Sequence, residues 1–344
     1  MNGKKTMQRG VLVVGLLAAM LGLVPASAHT EAANDITLKV ALMIPRTPEA
    51  ATQAKRYNSR LAEMTDGSVK VRIYWGGAAG DDRDVLRKMR TGQMDGAPLS
   101  LELISNIVRQ CLVLASPALF NNYRELDAVR AALSPEFDKE AYENGFKVMG
   151  WGDVGRLRLF TKKPLTRIAD FRGMRPWLYP ESEMLKEFYK VVNATGVPLS
   201  IAEVYGGLQT NMIDVIWASA LLAAALQWHT GTEYVSERGL GFIGGAFVFR
   251  RAAWEGLPKN VQESMTKLAL EEAPKQQIDL RKSDERAYIK LVERGHKKLV
   301  PANIKEWWDT GHMLRKRLVG RIYTKELLDR VEQIAAKYKE ADEM

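Results

Sequence analysis

Cysteine is almost absent: Cys111 is the single one among 344 residues, so no intramolecular disulfide is available. Set in the apolar run 111–115, its thiol reads as a buried core group. Histidine is sparse as well, with four residues, and His29, His229, His296 and His312 are scattered. There is no H-E-x-x-H, no G-x-S-x-G and no paired cysteine set, which removes the residues that zincin, serine-hydrolase and structural-zinc chemistry need. Lys and Arg are dispersed among acids, with no aromatic-interleaved basic run, so no nucleic-acid partner is expected. The glycine-rich segment 76–83 lacks the Lys-Ser/Thr ending of a phosphate cradle. Gly239, Gly241 and Gly244 match a dinucleotide pattern by letter. The strand-like run 245–250 follows them, so the phosphate-binding helix terminus is missing and no cofactor is expected.

After residue 28 no apolar run is long enough to span a bilayer. Residues 1–28 read as an export signal: Lys4, Lys5 and Arg9 precede an apolar core over 11–24, and Ala26, Ser27 and Ala28 offer a small-residue cleavage site. The apolar core is shorter than the ~20 residues of a spanning helix, and no cysteine follows it to make a lipoprotein. The expected product is soluble and periplasmic. Removing those three cations from the formal net charge of +9 leaves +6. Such a balance permits attraction to acidic surfaces without requiring it.

What is present is alternation. Residues 36–43 read as a buried strand, Pro48 opens a helix ending near Asp66 and Gly67, and 69–75 is an alternating strand. Asp82 begins another helix, and 94–97 returns toward the sheet. Repeated strand–helix units argue for an α/β chain with a largely parallel sheet. Segment 76–83 then lies at a strand's carboxyl end, where such sheets bind ligands, although its glycines are read first as turn formers. Over three hundred residues after the signal exceed one ordinary core and suggest two lobes.

The organising stretch is 170–219. A turn at 170–173 leads into an extended segment, 174–178. Pro180 fits the first turn of a helix carrying Met184, Leu185, Phe188, Val191 and Val192, with Gly196 as its expected C-terminal cap. A short helix starts at Glu203, and an apolar strand spans 212–217. Residues 218–228 read as a helix buried on nearly all sides. A long charged helix over 258–294 and two more after Ile304 complete the pattern.

Asp170, Gly173 and Arg175, followed by Glu203, Val204, Tyr205, Leu208, Gln209, Thr210, Asn211 and Asp214, resemble two ordered signatures of TRAP (tripartite ATP-independent periplasmic) transporter solute-binding proteins. The loop 76–83 and the turn 117–120 resemble further elements of that family. The resemblance implies an α/β, two-lobed periplasmic-binding-protein fold with mixed sheets, a buried interlobe helix and a helical C-terminal wrap. Lobe one would take 34–154 plus 244–283, and lobe two 155–243 plus 284–344. It implies closure of the lobes on a small-molecule ligand and delivery to TRAP membrane permease subunits, in some systems with a tetratricopeptide-repeat protein, and no catalysis.

Departures from the pattern carry a further expectation. The family's carboxylate-binding Arg falls on Trp177, and its polar ligand loop falls on Val215, Ile216, Trp217 and Ala218. A bidentate Arg is a strong carboxylate grip and Trp has no fork to replace it. The expected ligand is therefore apolar or amphipathic, a lipid-like molecule or hydrophobic acid. Candidate ligand residues are Trp177, Trp217, Ile216, Ala218, Tyr205 and Asp214, with Arg158 or Arg175 left for an acidic headgroup. The alternative function is a periplasmic lipid carrier or a sensor-coupled receptor.

Overall fold

Strand and helix alternate along the first half of the chain. A computed structural model describes residues 36–339; the export segment expected over 1–28 lies outside the described residues. The order opens β1 (Ile36–Ala41), α1 (Pro48–Met64), β2 (Val69–Tyr74), α2 (Asp82–Arg90), β3 (Gly96–Ser100), α3 (Leu101–Ile104), α4 (Tyr123–Glu143) and β4 (Phe146–Arg156). It continues β5 (Arg158–Thr161), β6 (Trp177–Leu178), α5 (Glu183–Val191), β7 (Val197–Pro198), α6 (Val204–Gln209), β8 (Val215–Ala218) and α7 (Ala220–Ala225). β9 (Tyr234–Ser236), β10 (Phe242–Arg250), α8 (Arg251–Glu255), α9 (Lys259–Glu293), β11 (Lys297–Leu299), α10 (Ile304–Leu318) and α11 (Lys325–Ala336) close it.

Local chemistry explains the early helices. Thr47 caps α1 by accepting from the Ala50 amide at 3.2 Å, with Pro48 in the first position. Asp81 caps α2 by accepting from the Asp84 amide at 2.8 Å, and Val85, Leu86 and Met89 bury its apolar face. Cys111 is buried, and burial pushes its thiol well up.

Two principal sheets result. The first has order β2-β1-β3-β10-β4, parallel through β2, β1 and β3, with β10 antiparallel to both of its neighbours. The second has order β11-β9-β5-β8, in which β5 runs antiparallel to β8 and β9. β6 and β7 form a short parallel pair. The sheets are thus mixed, because β10 returns from late in the chain to sit between β3 and β4. α9 spans 35 residues and packs on α1, α7 and β4, while α10 packs on α5 and α11 on α4.

Several boundaries differ from the sequence reading. The crossing between lobes is expected from the sequence near 152–155; β4 spans those residues, and Leu157 lies between β4 and β5. Glycine is needed at 155: its φ is +117°, and an added Cβ would lie 2.2 Å from the Asp284 carboxyl carbon. α5 is opened by Ser182, which accepts from the Leu185 amide at 3.1 Å, and not by Pro180. It ends at Val192, so Gly196 is no cap; a Cβ there would meet Leu178 and Tyr189 at 2.7 and 2.8 Å. The apolar run 218–228 divides, with Ser219 capping the six-residue α7 and Gln227 taking a left-handed φ of 58°.

Candidate functional site

The aromatic residues nominated from sequence are built into the core. Trp177 is 6% exposed, and its indole N–H donates to the Leu199 carbonyl at 2.8 Å. Its ring lies edge-on to Trp228 at 5.3 Å and tilted against Tyr179 at 5.9 Å. Trp217 stacks over Phe171, centroids 6.3 Å apart, and meets Phe188 edge-on at 5.4 Å. Tyr189 joins the two tryptophans: its hydroxyl accepts from the Trp217 indole at 3.1 Å and donates to the Trp177 carbonyl at 2.6 Å. Ile216 and Ala218 are fully buried in β8. Strand β8 needs apolar residues here because it lies buried beside β5.

The nominated charged residues are committed to internal partners. Arg158 is 2% exposed; its guanidinium donates to the Ser236 carbonyl at 3.0 Å and to the Glu237 carbonyl. It also pairs with Glu285 at 3.3 Å and stacks 3.9 Å from the Tyr288 ring centre. Burial pulls its pKa down, opposed by Glu285 and Asp284. Arg175 is tied to Asp214, whose carboxylate accepts from the Arg175 amide at 2.6 Å and from its Nε at 3.2 Å. Asp214 in turn donates its amide to the Arg175 carbonyl at 3.0 Å, which locks this turn. Tyr205 is 42% exposed on α6, apart from these clusters. The eight nominated residues therefore fall into two core clusters, the Arg175–Asp214 clamp, the buried Arg158 with its Glu285 pair, and one surface tyrosine.

A different cluster lies at the carboxyl ends of the parallel strands. After β2, Gly76, Gly77 and Gly80 adopt φ of 59°, 78° and 95°, so their first role is the turn itself. The turn delivers α2, whose first residue, Asp82, is 6% exposed and accepts a hydrogen bond from the Tyr179 hydroxyl. Burial pushes the Asp82 carboxyl up, and burial with the nearby Asp82 and Glu102 charges pushes Tyr179 up. Beside them Arg83 pairs with Glu181 at 3.3 Å. Glu102, just past β3, hydrogen-bonds Ser100 and is raised by burial. This contact joins a helix of the first sheet to a residue packed in the second sheet's core. Sequence reasoning used Asp82 only as a helix start and passed over Tyr179 and Glu102; no periodicity marks a pair 97 residues apart.

Where the chain crosses between sheets it is clamped to α9. Gln277 exchanges two hydrogen bonds with the Asp153 backbone, each 2.9 Å. Arg281 reaches Asp153 and Asp127 at 2.6 Å each, and Arg130 reaches Asp153 at 3.0 Å. Burial alone lowers the Arg281 pKa, but the two carboxylates outweigh it and hold it raised. Asp284 accepts from the Arg156 and Leu221 amides, both at 3.0 Å. Among the described residues no group of acidic, histidine or cysteine side chains is arranged to hold a metal ion.

The two mixed sheets are joined by a crossing against which the long α9 packs. The family model for DctP, bacterial extracellular solute-binding protein family 7, matches residues 43–319. The chain belongs to that family. Family 7 proteins are solute-binding receptors, so this chain is a receptor of the TRAP type and not an enzyme. A curated relative is the C4-dicarboxylate-binding periplasmic protein DctP of Vibrio cholerae, 24% identical over 262 residues, covering 74% of this chain and 78% of that one. The sialic acid-binding periplasmic protein SiaP of the same organism is 24% identical over 194 residues, covering 55% and 59%. Among solved structures, the sugar acid binding protein of Advenella mimigardefordensis in complex with galactonate superposes with a TM-score of 0.81 at 16% identity. That superposition covers 88% of this chain and 98% of its own. A TRAP periplasmic solute-binding protein of Pseudomonas putida with bound D-glucuronate gives 0.79 at 17% identity, covering 90% and 99%. The two-lobed family fold is therefore this chain's fold, and no helix among the described residues is long and apolar enough to cross a membrane.

Proposed function

We propose that this family 7 receptor works in the periplasm, closing two lobes on a small solute and handing it to TRAP permease subunits in the membrane. The first sheet would form the core of one lobe and the second sheet the core of the other. The observation that carries the closure is the Asp82–Tyr179 hydrogen bond, flanked by Arg83–Glu181, which spans the two sheet systems at the strand ends where α/β sheets bind ligands. A solute held there favours the joined state if it contacts both sides.

For the ligand we propose an apolar or amphipathic molecule, lipid-like or a hydrophobic acid, in place of a small dicarboxylate. The support is electrostatic: Trp177 offers no guanidinium, Arg158 places its Nη groups on two carbonyls and Glu285 and keeps only a buried Nε without a partner, and the Arg175 Nε pairs with Asp214. A buried carboxylate without such a partner is costly. The buried Trp177, Trp217, Ile216 and Ala218 lend no support of their own, since their area is already spent on the core. The carboxylates named for relatives set the competing outcome. Calorimetric titration with succinate, D-glucuronate and decanoate decides between them. Decanoate binding with succinate and glucuronate silent supports the reading; micromolar binding of either small acid overturns it. A tetratricopeptide-repeat partner is part of the same proposal, tested by capture of such a protein from the native envelope.

A further inference from the structure

A cavity of about 650 Å³ lies where the C-terminal helices meet the loop before α4, and none of the eight sequence-nominated residues lines it. The volume falls within the roughly 300–1,000 Å³ of small-molecule sites. Leu119, Ile304 and Trp308 supply apolar wall, with Trp308 half-buried. Arg238, Lys305, Lys339 and Arg315 supply positive charge, against Glu125 and Glu332.

Arg315 is the built element. α10 approaches the loop so closely that a Cβ on Gly311 would lie 2.7 Å from the Ala118 Cβ. From there Arg315, 8% exposed, donates through Nη1 to the Pro117 and Ala118 carbonyls at 2.8 and 2.6 Å, while Nη2 meets His312 Nδ1 at 3.0 Å. Its Nε has no hydrogen-bond partner, and the Glu332 carboxylate stands 3.5 Å away. A buried guanidinium with an unspent N–H is costly, and an incoming anion would satisfy it. Of the two acids, Glu125 is fully buried, and its carboxylate already accepts from the Asn121 backbone amide at 2.9 Å and the Asn121 side-chain amide at 3.2 Å. Arg315 pairs with Glu332 and Lys305 with Asp309, so among the described residues Arg238 and Lys339 are the lining cations with no ion pair.

We propose that this cavity is a second binding site, for a small carboxylate carrying a flat apolar body. The carboxylate displaces Glu332 from the Arg315 Nε edge, with Arg238 and Lys339 as the further cations of the wall, and the body lies on Trp308 and Leu119. The site draws walls from α10, which packs on α5, and from α11, which packs on α4.

The test is calorimetric titration of the intact mature protein with 2-naphthoate and its neutral counterpart 2-naphthamide. The expected result is one naphthoate per chain, bound at least about tenfold more tightly than the amide, as expected of a charge-assisted contact. Ala336→Trp fills the cavity from an exposed helical position without touching a charge, and Trp308→Ala removes the apolar wall. Each should weaken naphthoate by at least about tenfold, while Tyr205→Ala, outside the cavity, leaves it unchanged. Equal binding of acid and amide, an Ala336→Trp protein that binds naphthoate as well as wild type, or no binding at about 1 mM overturns the proposal.

Discussion

Truncating Trp177 to Ala separates a core tryptophan from a ligand platform. The ring is 6% exposed, packed between Trp228 and Tyr179, and its N–H satisfies the Leu199 carbonyl. Core Trp→Ala changes cost about 3–5 kcal/mol through lost transfer energy and an unfilled cavity. The orphaned carbonyl adds about 1–3 kcal/mol where no water reaches it. Against a total stability of about 5–15 kcal/mol this is a large share. With a urea slope of about 3 kcal/mol/M, the unfolding midpoint of ligand-free protein falls by at least about 1 M at unchanged slope. Trp177→Phe keeps most of the ring and should lose less than half as much. Urea titration followed by far-UV circular dichroism measures both. A Trp177→Ala protein with an unmoved ligand-free midpoint refutes the core assignment and restores Trp177 to the ligand surface.

Three further outcomes follow from the clamps. Asp82 has a carboxyl raised above its ordinary 3.8 by burial, so its folded form holds the proton more tightly than the unfolded chain. Its stabilising contribution is full below the unfolded pKa and is lost as pH rises through the folded one, so Asp82→Asn should gain stability relative to wild type as pH rises above the ordinary 3.8; urea midpoints across pH check the sign. Asp153→Ala strips the shared carboxylate from Arg281 and Arg130, whose side chains are only 15% and 14% exposed, at a cost of about 3–5 kcal/mol in chemical denaturation. Gly155→Ala forces a Cβ onto the Asp284 carboxyl at a φ of +117°, so expression and thermal stability should fall sharply, and pairing it with Asp284→Gly should recover part of the loss.

What the sequence displayed was what is local. β1, β2, α1, α2 and α9 show as periodicity bounded by Thr47, Asp81 and Pro258, because each end is set by neighbours within a turn. The helix expected to open at Pro180 starts three residues later, at Glu183, since a Ser182 hydroxyl satisfies the orphan amide that proline merely tolerates. Gly196 looked like a cap but is a packing glycine, a distinction made by Leu178 and Tyr189 arriving from elsewhere. The site was least legible. Trp177 and Trp217 stand where the family signature places ligand contacts, yet Tyr189 hydrogen-bonds both into the core. Conversely, Asp82 and Tyr179 meet only because two separate segments fold together, and Arg315 gained meaning only once its carbonyl partners at 117 and 118 were in place.

The central claim is that this chain is a solute receptor whose nominated arginines are held by internal partners, Arg158 by Glu285 and two carbonyls and Arg175 by Asp214. Native mass spectrometry of protein purified without denaturation from its own host tests it most directly. The account predicts one bound small molecule per chain, released with its mass unchanged, and no adduct of the mass of a C4-dicarboxylate or hexuronate. A bound dicarboxylate or sugar acid, displaced by excess succinate and lost in Arg158→Met or Arg175→Met, would contradict it.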